Sequence, residues 1–168
     1  MENLKTAGII SPDAVAHARL SDIQRAVRPT GFYVQKAKRL KSITQSMLDE
    51  FGSFESLALL GDEELRAKLL SYSGIGDETA DSIMLYAFRR KSFVVDAYTK
   101  RILGRLTGIS PGSYDDVQHY LTSGLKRNVS IYMELHAQLV ELAKRNCRTD
   151  PLCFGCPLRG MCAHARRT

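Results

Sequence analysis

Four cysteines, one aspartate and a pair of glycines carry the chemistry that can be read from this chain. Cys147, Cys153, Cys156 and Cys162 form a C-x5-C-x2-C-x5-C array at the C-terminal end, and the chain has no other thiol. A helical chain would not normally staple only its tail, so disulfides are the weaker reading. Four thiolates suit a metal centre, either a tetrahedral zinc or an iron–sulfur cube. Zinc sites of this size commonly show two C-x2-C pairs, whereas this array has one pair between longer arms; both metal classes stay open on these residues alone. Asp96 follows the apolar run Phe93-Val94-Val95 and opens a helical pattern of Tyr98, Ile102, Leu103 and Leu106. A carboxylate there caps free amides and is held as an anion by the helix dipole. Gly74-Ile75-Gly76 leaves bare amides at the mouth of a following helix, an arrangement that suits phosphate. Each feature also has a plain reading: the glycines as a turn, Asp96 as a cap.

Helical patterns position these residues. Leu65, Leu69 and Leu70 precede the glycine turn, and Ala80, Ile83, Met84 and Ala87 follow it at i, i+3, i+4, i+7 spacing, with Asp77 as the expected N-cap. Upstream, Met1–Lys5 reads as the end of a helix, and Pro12 sits at a helix start. Short helices are expected over Ala14–Ala18 and Ser21–Val27, the second capped by Ser21. After the breaker Arg28–Gly31, a long helix runs from Phe32 to Phe51, with Leu40, Ile43, Met47 and Leu48 inward and Lys36, Lys38, Arg39 and Lys41 outward. A turn and short helix fill Gly52–Leu60. Beyond the loop Ser110–Ser113, helices are expected over Tyr114–Leu125 and, capped by Ser130, through Ile131, Leu135, Leu139 and Leu142. Nothing reads as a strand, so the fold class is all-α. The histidines, His136 among them, are read as ordinary packing or surface residues.

The chain has 168 residues, 44% of them hydrophobic, and no apolar run of membrane-spanning length. Neither a membrane partner nor a signal peptide is expected. Its net charge is +6. Residues 1–96 balance 13 Lys/Arg against 13 Asp/Glu, whereas residues 97–168 carry 11 against 5. All the excess therefore lies in the C-terminal part, which points to a polyanion such as a nucleic-acid backbone.

Two segments carry a family resemblance. Leu69–Asp81 is similar to the LxxxxGIGxxTAD hairpin, and Val95–Arg101 to the VDxxxxR segment, of the helix-hairpin-helix DNA glycosylases related to endonuclease III. RPTGFYVQKAKRL, residues 28–40, is similar to the stretch that packs beside the hairpin in that family. The resemblance implies a partial helical barrel over residues 1–112, with the helix-hairpin-helix at 69–88. It implies a C-terminal helical lobe over 113–168, with a 4Fe–4S loop at 147–162 whose first arm is one residue shorter than usual. Zinc remains the less favoured alternative for that loop.

By the same resemblance Asp96 is the catalytic carboxylate of a base-excision glycosylase. Gly74, Gly76, Thr79, Lys100, Arg148 and Arg159 are the implied DNA contacts, and Cys147, Cys153, Cys156 and Cys162 the cluster ligands. Bifunctional members carry a lysine two residues after the second hairpin glycine, where this chain has Glu78, and no lysine lies between Lys68 and Lys91. A carboxylate cannot form the Schiff base that strand cleavage needs. The expectation is a monofunctional glycosylase of the 3-methyladenine-removing branch, a cytoplasmic (in a prokaryote, nucleoid-associated) monomer acting on duplex DNA with a damaged base. The family's first helices are expected to be missing, which leaves a non-catalytic DNA-binding protein with hairpin and cluster as the alternative.

Overall fold

The computed structural model describes residues 2–167, and among these no strand occurs. Met1, expected in the first helix, lies outside them. The helices are α1 (Glu2–Thr6), α2 (Pro12–His17), α3 (Leu20–Val27), α4 (Tyr33–Phe51), α5 (Phe54–Leu57) and α6 (Asp62–Ser71), then α7 (Asp77–Ser82), α8 (Ala97–Thr107), α9 (Tyr114–Ser123) and α10 (Val129–Arg145). The chain packs as two compact units, residues 1–75 and 76–168, divided inside the glycine turn.

In the first unit, Ile9, Val15, Ile23, Val27 and Ala37 form the core, and Leu4, Leu20 and Leu40 pack around it. Helix α4 is the long expected helix, but its buried stripe is Ala37, Thr44 and Met47. Thr44 is tolerated there because its hydroxyl bonds the carbonyls of Leu40 and Lys41, both at 3.0 Å. The helix ends at Gly52, which takes a left-handed φ of 71° while its amide bonds Leu48 O. Helix α3 begins at Leu20 after Arg19, so Ser21 lies inside it instead of capping it. Glu50 pairs with Lys68 and accepts from the Tyr72 hydroxyl at 3.3 Å. Burial, helped by the Glu50 charge, pushes the Tyr72 pKa up to about 12.

In the second unit, Leu85, Phe93, Val94, Val95, Val117 and Tyr132 form the core. The Phe93 and Tyr132 rings meet edge to face at 5.7 Å. Val117 belongs to this core, so the loop at 110–113 lies within the unit. Helix α7 does not continue with helical spacing. It opens into a wide π turn over Ile83–Ala87, in which the Phe88 amide reaches Ile83 O at 3.1 Å. Met84 and Leu85 are consequently both buried, whereas Ala87, expected on the apolar stripe, is exposed. Asp81 is fully buried; its carboxylate accepts from Ser92 Oγ at 2.5 Å and Gln118 Nε2 at 3.1 Å. Gln118 also donates to Phe93 O at 2.6 Å, tying the extended segment before Asp96 to α9. Asn128 rather than Ser130 caps α10, and Ser113 closes a capping box with Asp116 on α9.

Candidate functional site

Asp96 is the N-cap of α8. The extended run Phe93–Val95 is buried and delivers it to the helix start, and the Val95 amide donates to Tyr114 Oη at 3.2 Å. Its Oδ1 accepts from the Thr99 amide at 2.7 Å and the Thr99 hydroxyl at 2.8 Å. Thr99 is itself 1% exposed, so both donors are fixed. The second oxygen, Oδ2, faces His136 Nε2 of α10 at 3.7 Å. Burial acts to raise the Asp96 pKa, but the facing His136 imidazole and the bonds from the Thr99 amide and hydroxyl outweigh it. The carboxyl titrates below its ordinary value of 3.8 and is an anion at neutral pH. This is a fixed, ionised carboxylate with one oxygen committed to the helix and the other turned toward a histidine.

Lys100 follows one turn later, its ammonium 6.0 Å from the centre of the Tyr114 ring. The glycines differ from each other. Gly74 has φ +89°, where only glycine is relaxed, and a Cβ there would lie 2.8 Å from Arg39 Cδ. Gly76 is extended (φ −103°, ψ −179°), is itself the N-cap of α7, and has open space around its Cα. Asp77 is therefore the first helical residue rather than the cap. Glu78 and Thr79 follow in the first turn, both exposed.

The cysteine loop is bound to the C-terminal half of α8. Arg101 Nε donates to Cys147 O at 2.9 Å, and Arg105 donates to Arg148 O at 2.5 Å and Thr149 O at 2.9 Å. The Ala163 and His164 amides return to the carbonyls of Leu106 and Arg105, each at 3.0 Å. All four cysteines are unpaired and half-buried. Arg105 engages two of them: its Nη1 lies 3.5 Å from Cys147 Sγ, and its carbonyl accepts from Cys162 Sγ at 3.4 Å. Among the described residues no three His, Cys, Asp or Glu side chains form a group able to hold a metal ion. The donor set nevertheless fits a thiolate-ligated cluster by its chemistry, with four soft sulfurs and a guanidinium beside one of them. Arg148 and Arg159 project from this loop, both exposed, with the Arg159 guanidinium 5.3 Å above the Phe154 ring.

His136, read from the sequence as a packing residue, faces Asp96 instead, and Arg101, the last residue of the Val95–Arg101 segment, holds the cysteine loop; Tyr86 and Arg105 carried no sequence signal. Tyr86 and His136 lie 50 positions apart and Arg105 and Cys147 lie 42 apart, so no local pattern joins them.

An all-helical chain with a two-glycine turn, followed by a helix capped by a partly buried carboxylate, has the organisation of a helix-hairpin-helix DNA glycosylase. Residues 1–127 match the family model described as HhH-GPD superfamily base excision DNA repair protein. The chain is 41% identical over 165 residues to a protein of Methanocaldococcus jannaschii that carries the name DNA repair glycosylase, covering 96% of this chain and 75% of that one. It is 30% identical over 163 residues to endonuclease III of Sulfolobus acidocaldarius, covering 95% and 70%. Among solved structures, the Helicobacter pylori 3-methyladenine DNA glycosylase bound to 1,N6-ethenoadenine superposes with a TM-score of 0.76 at 33% identity, covering 86% of this chain and 74% of that one. The chain belongs to the HhH-GPD superfamily of base excision DNA repair glycosylases.

Proposed function

We propose that this chain is a monofunctional glycosylase that hydrolyses the N-glycosidic bond of an alkylated purine in duplex DNA. The observation that carries the reading is the Asp96 carboxylate, kept ionised at the start of α8 by two Thr99 donors. A base inside the duplex must first be flipped into a pocket. Breaking its bond to the sugar builds positive charge on the sugar ring, and a preorganised anion stabilises that charge and orients the attacking water. The 33% likeness to a 3-methyladenine glycosylase holding an ethenoadenine supports the alkylated-purine class. Exposed Glu78, where bifunctional members carry lysine, supports hydrolysis without strand cleavage.

Gly74, Gly76 and Thr79 in the hairpin, with Lys100, Arg148 and Arg159, are the proposed phosphate contacts. Cys147, Cys153, Cys156 and Cys162 would hold a 4Fe–4S cluster. When bound, the cluster supplies no step in hydrolysis; it pins the loop in one shape so that Arg148 and Arg159 meet phosphate oxygens. We place the protein in the cytoplasm as a monomer acting on duplex DNA.

Duplex DNA containing 1,N6-ethenoadenine or 3-methyladenine tests the reading. Free base should appear, the abasic strand should break only after alkali, and borohydride should trap no covalent complex. Binding without base release from any alkylated duplex would leave the chain a DNA-binding protein. A trapped adduct would show that another amine has taken up lyase chemistry.

A further inference from the structure

The second oxygen of Asp96 faces a histidine from α10. His136 turns Nε2 toward Asp96 Oδ2, and the two side chains are only 13% and 14% exposed. That nitrogen is buried and has no hydrogen-bond partner among the described residues. A buried polar atom left so keeps an uncompensated desolvation cost, which simple packing would not require. The other ring nitrogen, Nδ1, lies 2.6 Å from the Tyr86 hydroxyl on the wide turn after α7. Phe93 closes the third side, its ring at 90° to the imidazole with centroids 6.4 Å apart. The groups facing His136 are thus Tyr86 from the wide turn, Phe93 from the extended segment and Asp96 from α8.

We propose that His136, fixed by Tyr86, is the positioning residue that sets and holds the Asp96 carboxylate for glycosyl-bond hydrolysis. The inference rests on the glycosylase reading. The Tyr86 phenol is protonated at neutral pH, and on this proposal its O–H donates to Nδ1 at 2.6 Å. The imidazole proton is thereby placed on Nε2, facing Oδ2. Thr99 holds Oδ1 with two donors, and His136 supplies the donor for Oδ2. Both carboxylate oxygens are then fixed. A separation of 3.7 Å is longer than a hydrogen bond, and such catalytic contacts commonly tighten when substrate closes the site. The wide turn matters here because it brings Tyr86, itself 41% exposed, across to α10.

Carbon-13 carboxyl NMR of the DNA-free protein tests the coupling without calling on activity, with the Asp96 signal assigned by its loss in Asp96→Asn. His136→Phe keeps a ring against Phe93 but removes both nitrogens, and the Asp96 titration midpoint should rise. Tyr86→Phe, at an exposed position, should raise it less, and His136→Gln, which retains a donor, should stay nearer the parent. Unchanged midpoints in His136→Phe and Tyr86→Phe would reduce His136 to packing and overturn the proposal. If His136→Phe does not fold, Tyr86→Phe decides alone.

In single-turnover base release at neutral pH, His136→Phe should be on the order of 10²-fold slower, as displacing a reacting group by about an ångström costs. Its acid limb should move to higher pH, while binding to an abasic duplex is kept. A parent that releases no base, with the midpoint shift present, would end the glycosylase reading and leave the coupling standing. A parent that releases base, with neither midpoint nor acid limb moved, would do the reverse.

Discussion

On the proposed reading, Asp96 serves structure and chemistry with different oxygens. Oδ1 terminates a helix by taking two donors from Thr99, and Oδ2 is left to face His136. Its pKa lies below the ordinary 3.8, so the stabilisation from these contacts is fully present above the ordinary carboxylate range and lost as pH falls through the lower native value. Base release should accordingly persist to pH values below the ordinary carboxylate midpoint, measured as rate against pH under single turnover. Asp96→Asn keeps the cap shape but removes the charge. It should slow base release by roughly 10²–10³-fold, or about 3–4 kcal/mol of transition-state stabilisation, as at other preorganised electrostatic sites. Affinity for an abasic analogue should survive the change, because phosphate contacts are untouched. A rate within a few-fold of the parent would remove Asp96 from the chemistry.

The elements show why two glycines in one turn are not equivalent. Gly74 needs its missing side chain for conformation, since φ is +89°; Gly76 is extended and has no such need. Gly74→Ala should therefore destabilise the protein by about 1–2 kcal/mol, the cost of an L residue in a left-handed conformation, read from denaturant midpoints. The near contact with Arg39 Cδ adds little, because that side chain can move. Gly76→Val should leave stability nearly unchanged and still weaken binding to duplexes of any sequence, by blocking the approach of phosphate to the helix amides. Equal binding by Gly76→Val and parent at several salt concentrations would make the hairpin a turn and nothing more. The wide turn after α7 is the other instructive element. The spacing of Ala80, Ile83, Met84 and Ala87 suits a regular helix, but burying Met84 and Leu85 together requires an extra residue in the turn. Periodicity alone cannot signal this, because the core that rewards it lies in Phe93–Val95, Val117 and Tyr132.

At the scale of the whole molecule, the excess of positive charge over residues 97–168 and the cysteine loop should act together on DNA. Protein purified without oxygen should be brown and hold about four irons per chain. Cys153→Ser should lose iron and DNA affinity together, and affinity should fall steeply with salt as counterions are released. Colourless protein with one zinc would transfer the loop to the other metal class. The sequence by itself determined the all-helical class, nearly every helix to within a few residues, the turn at 74–76, Asp96 as a helix-start carboxylate and the family, because periodicity, glycine spacing and capping chemistry are local. The caps at Ser21, Asp77 and Ser130 were misplaced by one or two residues, since a neighbouring backbone group or side chain, Asn128 at α10, took the role. Only the tertiary structure decided that His136 and Tyr86 stand behind Asp96, that Arg101 and Arg105 clamp the cysteine loop, and that Asp81 ties Ser92 to Gln118. Each of those groupings joins side chains from separate elements, and it exists only once the buried cores have brought those elements into register.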